Sequence, residues 1–219
     1  MYRHRQEAGQ KLVPEVKEII EGENTVVLGL PRGGVPVAYE VAKALELPLD
    51  VFVVRKLGVP GQEELAMGAI ASGGVRFLNQ DIFQQLNISD QQLEEITERE
   101  RQELKKRENI YRGTRPEVDL EGKETLIIDD GLATGATMKA AVNALREHSP
   151  ARILAAVPTA PPEPCREMQE LVDEMICLST PANFMGVGGS YREFGQTTNE
   201  EVKDLLEQAQ EWMSDAQTT

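Results

Sequence analysis

Thr125 to Thr137 reads TLIIDDGLATGAT, and the rest of the chain can be placed around it. Leu126, Ile127 and Ile128 form an uninterrupted apolar run, as expected for a strand covered on both faces in a parallel sheet. Two adjacent carboxylates follow, Asp129 and Asp130, and then a loop of small residues with glycines at 131 and 135 and hydroxyls at 134 and 137. From Met138 the pattern MKAAVNALREH repeats at helical spacing, with Met138, Ala141, Val142 and Leu145 on one face. Strand, glycine-bearing loop and helix make a phosphate-binding unit, because the amides of Ala133, Thr134, Gly135, Ala136 and Thr137 can converge on an anion at the positive helix end. Carboxylates beside such a nest would repel the phosphate unless they held a cation or accepted hydrogen bonds from sugar hydroxyls. A ribose bearing a 5'-phosphate meets both needs. A βα turn with a solvated acid pair is the plainer alternative.

A second unit of the same kind precedes it. Residues 6 to 21 read as a helix with Leu12, Val16, Ile19 and Ile20 inward, interrupted at Pro14 or begun there. Thr25 to Leu30 (TVVLGL) is a buried strand, followed by Pro31-Arg32-Gly33-Gly34 and a helix with Val37, Val41 and Leu45 spaced for a core face. Pro48 to Val54 is the next strand and runs directly into Arg55-Lys56. Ligands of open parallel sheets sit at the carboxyl ends of strands, so a dibasic pair there is well placed for an anion.

The remaining segments are less regular. Leu57 to Gly74 is rich in glycine around AMGAI, a composition that fits a mobile flap, and VRFLN (75 to 79) can pair with AMGAI across Ser72 to Gly74. Ser89 with Gln92 opens a strongly charged helix to residue 110, anchored by Leu93, Ile96 and Leu104, with a packing or dimerisation role. Arg152 to Val157 is a buried strand, Arg166 to Met175 a helix and Ile176 to Leu178 a short last strand. The loop from Pro181 to Phe194 interleaves Phe184, Val187, Tyr191 and Phe194 with glycines, a wall on which a flat ring can stack. A helix closes the chain from Thr198, with Val202, Leu205, Leu206 and Ala209 inward, and the tail SDAQTT is expected to fray.

Composition excludes several classes. With 37 acidic against 23 basic residues the formal net charge is -14, which argues against nucleic acid or anionic membrane as partners. Two cysteines and two histidines offer no zinc spacing, and Cys165 and Cys177 are expected as reduced thiols. A Walker loop is absent, and the D-x-D pattern of the dehalogenases fails at Gly131. No apolar stretch approaches the roughly 20 residues of a membrane span, and MYRHRQEAGQ has no signal-peptide core, so a cytoplasmic protein is expected.

The central stretch, an apolar strand, two acids, three variable residues and Thr-Gly-x-Thr, resembles the phosphoribosyl pyrophosphate (PRPP) motif of the type I phosphoribosyltransferases. The resemblance implies an α/β fold over residues 1–219 as a single domain: an open parallel sheet flanked by helices, with a flexible flap at about 57–75, a helical insertion at about 80–115 and a small C-terminal hood at about 180–198. It implies that Asp129 and Asp130 hold the ribose 2'- and 3'-hydroxyls and, mostly indirectly, Mg²⁺, while Ala133 to Thr137 hold the 5'-phosphate. Arg32, Gly33 and Gly34 would bind pyrophosphate, in a loop that often carries a non-proline cis peptide. Arg55-Lys56 is similar to a pair in orotate enzymes that contacts pyrophosphate. Phe184, Val187 and Tyr191 would face the base, by likeness to the F-x-V-G stretch of hypoxanthine-guanine enzymes. Those enzymes place an aspartate at the loop position before Thr-Gly; this chain has Ala133 there, as in adenine and uracil enzymes, so the acceptor base stays open. The implied activity is transfer of phosphoribosyl from PRPP to a nitrogenous base in nucleotide salvage, by a homodimer resembling stand-alone bacterial members of the family. The alternative is a PRPP-binding regulator without turnover.

Overall fold

The apolar run at 126–128 is the middle strand of a five-stranded parallel sheet. In the computed structural model, which describes residues 1–22, 24–79 and 88–216, this sheet comprises β1 (Thr25–Gly29), β2 (Leu49–Val51), β6 (Glu124–Ile128), β7 (Arg152–Thr159) and β8 (Glu174–Ser179), in the order β2-β1-β6-β7-β8. Val27 lies opposite Leu126 and Gly29 opposite Ile128, so the strands bearing the two glycine-rich loops are immediate neighbours and end level with each other.

Alternation along the strands sends successive side chains to two separate cores. Leu126 and Ile128 face α1 (Arg5–Ile19), α2 (Gly34–Leu45) and α6 (Asn199–Ala216), packing with Leu12, Val16, Val41, Val202 and Leu206. Ile127, Ile153 and Ala155 face α4 (Ala136–Arg146) and α5 (Pro162–Gln169), packing with Met138, Val142, Leu145 and Met168. Each fully buried Leu or Ile contributes about 1.5–3 kcal/mol, and burial on both faces is why the strand sequence carries no polar alternation.

Several boundaries differ from the sequence reading. Helix α1 runs through Pro14 without a break. Pro14 is exposed, so its ring and the carbonyl it leaves unbonded lie on the solvent side, where the defect is cheapest. The strand expected over 48–54 ends at Val51, where the chain leaves the parallel sheet. Arg55 and Lys56 therefore lie in a second, antiparallel sheet of β3 (Val54–Val59), β4 (Gln62–Ala71) and β5 (Arg76–Leu78). The glycine-rich segment is this sheet, in which Gly68 pairs with Leu78 and Ile70 with Arg76, as the hairpin pattern predicts. Helix α5 begins at Pro162 and stops at Gln169, earlier than the expected 166–175, because Asp173 is drawn to the sheet: its N–H donates to Ile153 O and its carboxylate accepts from Ile153 N–H.

The charged helix is α3 (Asp90–Arg112), opened by the expected capping box of Ser89 and Gln92. Beyond Leu93, Ile96 and Leu104 it buries Glu100, Tyr111 and Arg112. Arg112 donates to both oxygens of Asp50 and to Val51 O, a buried ion pair that ties α3 to the β2 edge. The part of the expected insertion at residues 80–87 lies outside the described residues. Helix α6 continues through Ala216, and Gln217 to Thr219 of the tail expected to fray lie outside them too. Cys165 and Cys177 form a disulfide in place of the expected free thiols. The packing of α5 on β8 brings their Cα atoms to 6.4 Å, within bridging range.

Candidate active site

The carboxyl ends of β1 and β6 carry the two loops singled out in the sequence, and the structure packs them against each other. A methyl group on Gly33 would come within 2.1 Å of Asp130 Oδ2, and one on Gly34 within 2.6 Å of Ile128 O and 2.8 Å of Asp129 Cα. Only glycine permits this approach. The Pro31-Arg32 peptide is cis. The Gly34 amide is not free, as the resemblance would require, because it donates to Leu30 O; the Arg32 and Gly33 amides make no hydrogen bond among the described residues. The Arg32 side chain is half-buried, with no ion-pair partner among the described residues.

The second loop is an open nest. Gly135 caps α4 with φ 74°, a left-handed conformation that glycine adopts without steric cost. The amides of Ala133, Thr134, Gly135 and Thr137 make no hydrogen bond among the described residues, while Ala136 N–H donates to Thr134 Oγ1. These donors line a cavity of about 190 Å³ with Lys56, Asp129, Leu132 and Val187. Val187 belongs to a 3-10 turn (Val187–Ser190) and presses on Gly131, where an added methyl would lie 2.6 Å from Val187 Cγ1. Hood and acid loop thus meet at a residue that must lack a side chain.

Asp129 and Asp130 are partly buried at the junction of these loops. Burial, and next the charge of Asp130, pushes Asp129 well above the usual carboxylate range. Burial also raises Asp130, opposed by the guanidinium of Arg5. Arg5 Nε donates to Asp130 Oδ2 at 2.8 Å, with both side chains largely buried.

The remaining expected residues divide. Lys56 is exposed, has no ion-pair partner among the described residues, and lines both the nest and a neighbouring cavity of about 320 Å³. Arg55 is not free: its Nε and Nη2 both donate to Glu100 Oε2 of α3, at 2.9 and 2.6 Å, and Arg99 Nε donates to Glu100 Oε1 at 3.2 Å. Phe184 is half-buried. Tyr191 is buried, its ring lies between Tyr2 and Phe194, and its hydroxyl donates to Asp130 O at 2.5 Å. It stands behind the site and offers no open face to a ring. Arg5, Arg99 and Glu100 were not singled out by sequence; each is one charged residue in a charged segment, and only the fold brings it to the site.

Among the described residues no cluster of three or more His, Cys, Asp or Glu could ligate a metal. The donor set is a pair of acids, which suits a cation held chiefly by substrate phosphates and water, the usual habit of Mg²⁺.

Fold and site define an α/β protein in which two adjacent loops pack together at the carboxyl ends of a parallel sheet. A profile of the phosphoribosyl transferase domain matches residues 4–192, and the chain belongs to that family, with the type I phosphoribosyltransferase fold. Two Mycobacterium tuberculosis proteins, from strains CDC 1551 and H37Rv and provisionally named phosphoribosyl transferases, are each 44% identical over 209 residues, which is 95% of this chain and 47% of theirs. The chain thus spans about half the length of these curated relatives. The crystal structure of TT1426 from Thermus thermophilus superposes with a TM-score of 0.84 at 41% identity, covering 94% of this chain and 97% of that one.

Proposed function

We propose that the chain transfers the phosphoribosyl group of PRPP to a nitrogen of a base or related heterocycle, releasing pyrophosphate, with Mg²⁺ as cofactor. The observation that carries this reading is the contact between Gly33 and Asp130, which joins two loops far apart in sequence into one cleft. In that cleft the loop of residues 133–137, through the open amides of Ala133, Thr134, Gly135 and Thr137, holds the 5'-phosphate. Asp129 and Asp130 accept the ribose hydroxyls. The Arg32 and Gly33 amides, the Arg32 side chain and Lys56 receive the diphosphate.

Displacement at C1' passes through an oxocarbenium-like centre and needs no protein nucleophile, so the work of the chain is positioning, charge neutralisation and exclusion of water. When bound, Mg²⁺ neutralises the leaving diphosphate. Val187, seated on Gly131, supplies the apolar side of the acceptor half, and Phe184 stays a candidate for the base. Ala133 offers the acceptor no proton-handling group, which supports an acceptor that attacks through a nitrogen already free of its proton.

One observation favours the second reading, a PRPP-binding regulator. Arg55 and Asp130, both expected to act on substrate, are each held in an ion pair. The two readings separate in an assay of PRPP, Mg²⁺ and a panel of bases, in which pyrophosphate release is followed. Release with at least one base supports transfer. Saturable PRPP binding without release across a broad panel supports the regulator, and no PRPP binding at all removes both.

A further inference from the structure

Arg5 is 125 residues from Asp130 in sequence, yet it joins the acid pair to the hood. While Nε engages Asp130 Oδ2, Nη1 donates to Gly195 O at 2.7 Å, and the guanidinium carbon lies 4.0 Å from the centroid of the Phe194 ring. Phe194 stacks on Tyr191 with centroids 5.1 Å apart, and the Tyr191 hydroxyl returns to the backbone oxygen of Asp130. The circuit Asp130, Arg5, Phe194, Tyr191, Asp130 is therefore closed. Its outer side is laced down by the N-terminal segment, where Tyr2 N–H donates to Ser190 O, Arg192 N–H to Tyr2 O and Glu193 N–H to Arg3 O.

We propose that Arg5 is the positioning residue of the diol subsite: it takes one oxygen of Asp130, holds the other toward the ribose, and couples that carboxylate to residues 191–195. The proposal rests on the phosphoribosyl reading above. The physical need is plain. Two adjacent carboxylates repel each other, and an unpaired Asp130 would rotate toward solvent, away from a hydroxyl it is meant to receive. A guanidinium suits the task because its planar fork can donate to a carboxylate and a carbonyl at once while its face lies on an aromatic ring. Lysine, a point charge, can replace the ion pair but not the stack and the second hydrogen bond together. Gly33 is part of the same arrangement, since a methyl there would sit 3.3 Å from Arg5 Nε as well as against Asp130.

The test separates help to the diol from general support of the fold. Calorimetric titrations with ribose 5-phosphate and 2-deoxyribose 5-phosphate are compared for the unaltered protein, Arg5→Met and Arg5→Lys. The unaltered protein is expected to prefer the ribose sugar by about tenfold. In Arg5→Met this preference falls to within about twofold while affinity for the deoxy sugar, held by its phosphate, stays the same. Arg5→Lys, which keeps the charge, recovers part of the preference and provides the measurement should the methionine variant not fold. A preference kept in Arg5→Met, or a common weakening of both sugars, overturns the proposal. An unaltered protein that binds neither sugar overturns the phosphoribosyl reading itself, and this inference with it.

Discussion

A carboxylate buried beside another carboxylate costs free energy in the free protein, and the two acids here bear that cost differently. Asp129 has its carboxyl raised by burial and by Asp130, and its Oδ1 accepts the N–H of Asp130. Because its folded pKa lies above the unfolded value of 3.8, the folded state binds more protons in between, so stability falls as pH rises through that window. Asp129→Asn keeps an oxygen for the Asp130 amide and removes the buried charge. Unfolding at pH 7 is expected to require about 1 kcal/mol more, and stability should vary less with pH above the ordinary carboxylate range, while calorimetry shows PRPP binding strongly weakened. Asp130→Asn goes the other way. It leaves the largely buried Arg5 without its charge partner, at a cost of about 1–3 kcal/mol. Urea titrations of the two variants side by side check this; equal shifts of one sign would mean that Arg5 does not distinguish the two acids.

Between elements, the decisive contact is the reach of α3 to β3. Glu100, itself buried, holds the half-buried Arg55 and the exposed Arg99 beside the second cavity that Lys56 lines. On the proposed reading, a carboxylate there would compete with the diphosphate for the same guanidinium. Glu100→Gln should therefore lower stability by about 1–2 kcal/mol and tighten PRPP binding several-fold as Arg55 becomes free, measured by thermal unfolding and titration on one preparation. Looser binding would instead make Glu100 the residue that aims Arg55. The same contact marks where sequence reading stops. The strand-loop-helix units around Thr25 and Thr125 are legible because hydrophobic period, turn glycines and caps agree over short spans. The charged helix is legible as a helix from Ser89, Gln92 and its anchors. That Arg55 would find Glu100, or Asp130 would find Arg5, is not legible, since any of the many acids and bases in these segments satisfies the same local pattern and only the packing of distant elements selects one. The end of β2 at Val51 is likewise invisible in an unbroken apolar run PLDVFVV. Joining of Cys165 to Cys177 depends on α5 lying over β8, and in the chain-entropy account a loop of this size contributes up to about 3 kcal/mol. Cys165→Ser with Cys177→Ser should lower the urea midpoint accordingly, and an unchanged midpoint would show that the packing of α5 on β8 is sufficient by itself.

Over the whole molecule, a protein of net charge -14 would, on the proposed reading, have to attract a substrate more negative than most. It would do so locally. Arg5, Arg55, Arg99, Arg112 and Arg152 are each paired with acids, whereas Arg32, on the loop after β1, and Lys56, on β3 beside the nest, have no ion-pair partner among the described residues. Short-range attraction therefore sits inside long-range repulsion, and salt separates the two by distance. At about 10 mM ionic strength fields persist over about 30 Å, so an approaching polyanion meets the charge of the entire molecule; near 150 mM the reach is about 8 Å and only the cleft is felt. At still higher salt the local cations are screened as well. Affinity for PRPP should therefore rise from 10 mM to roughly 150 mM salt and decline beyond it, at fixed Mg²⁺, in contrast to the steady fall with salt shown by basic proteins that bind anions. Substituting Lys56→Gln should flatten the declining limb and leave the rising one, because the rising limb belongs to charges distributed over the surface. A steady loss of affinity from the lowest salt upward would mean that the cleft cations govern approach at all distances, and that the acidic surface has no part in it.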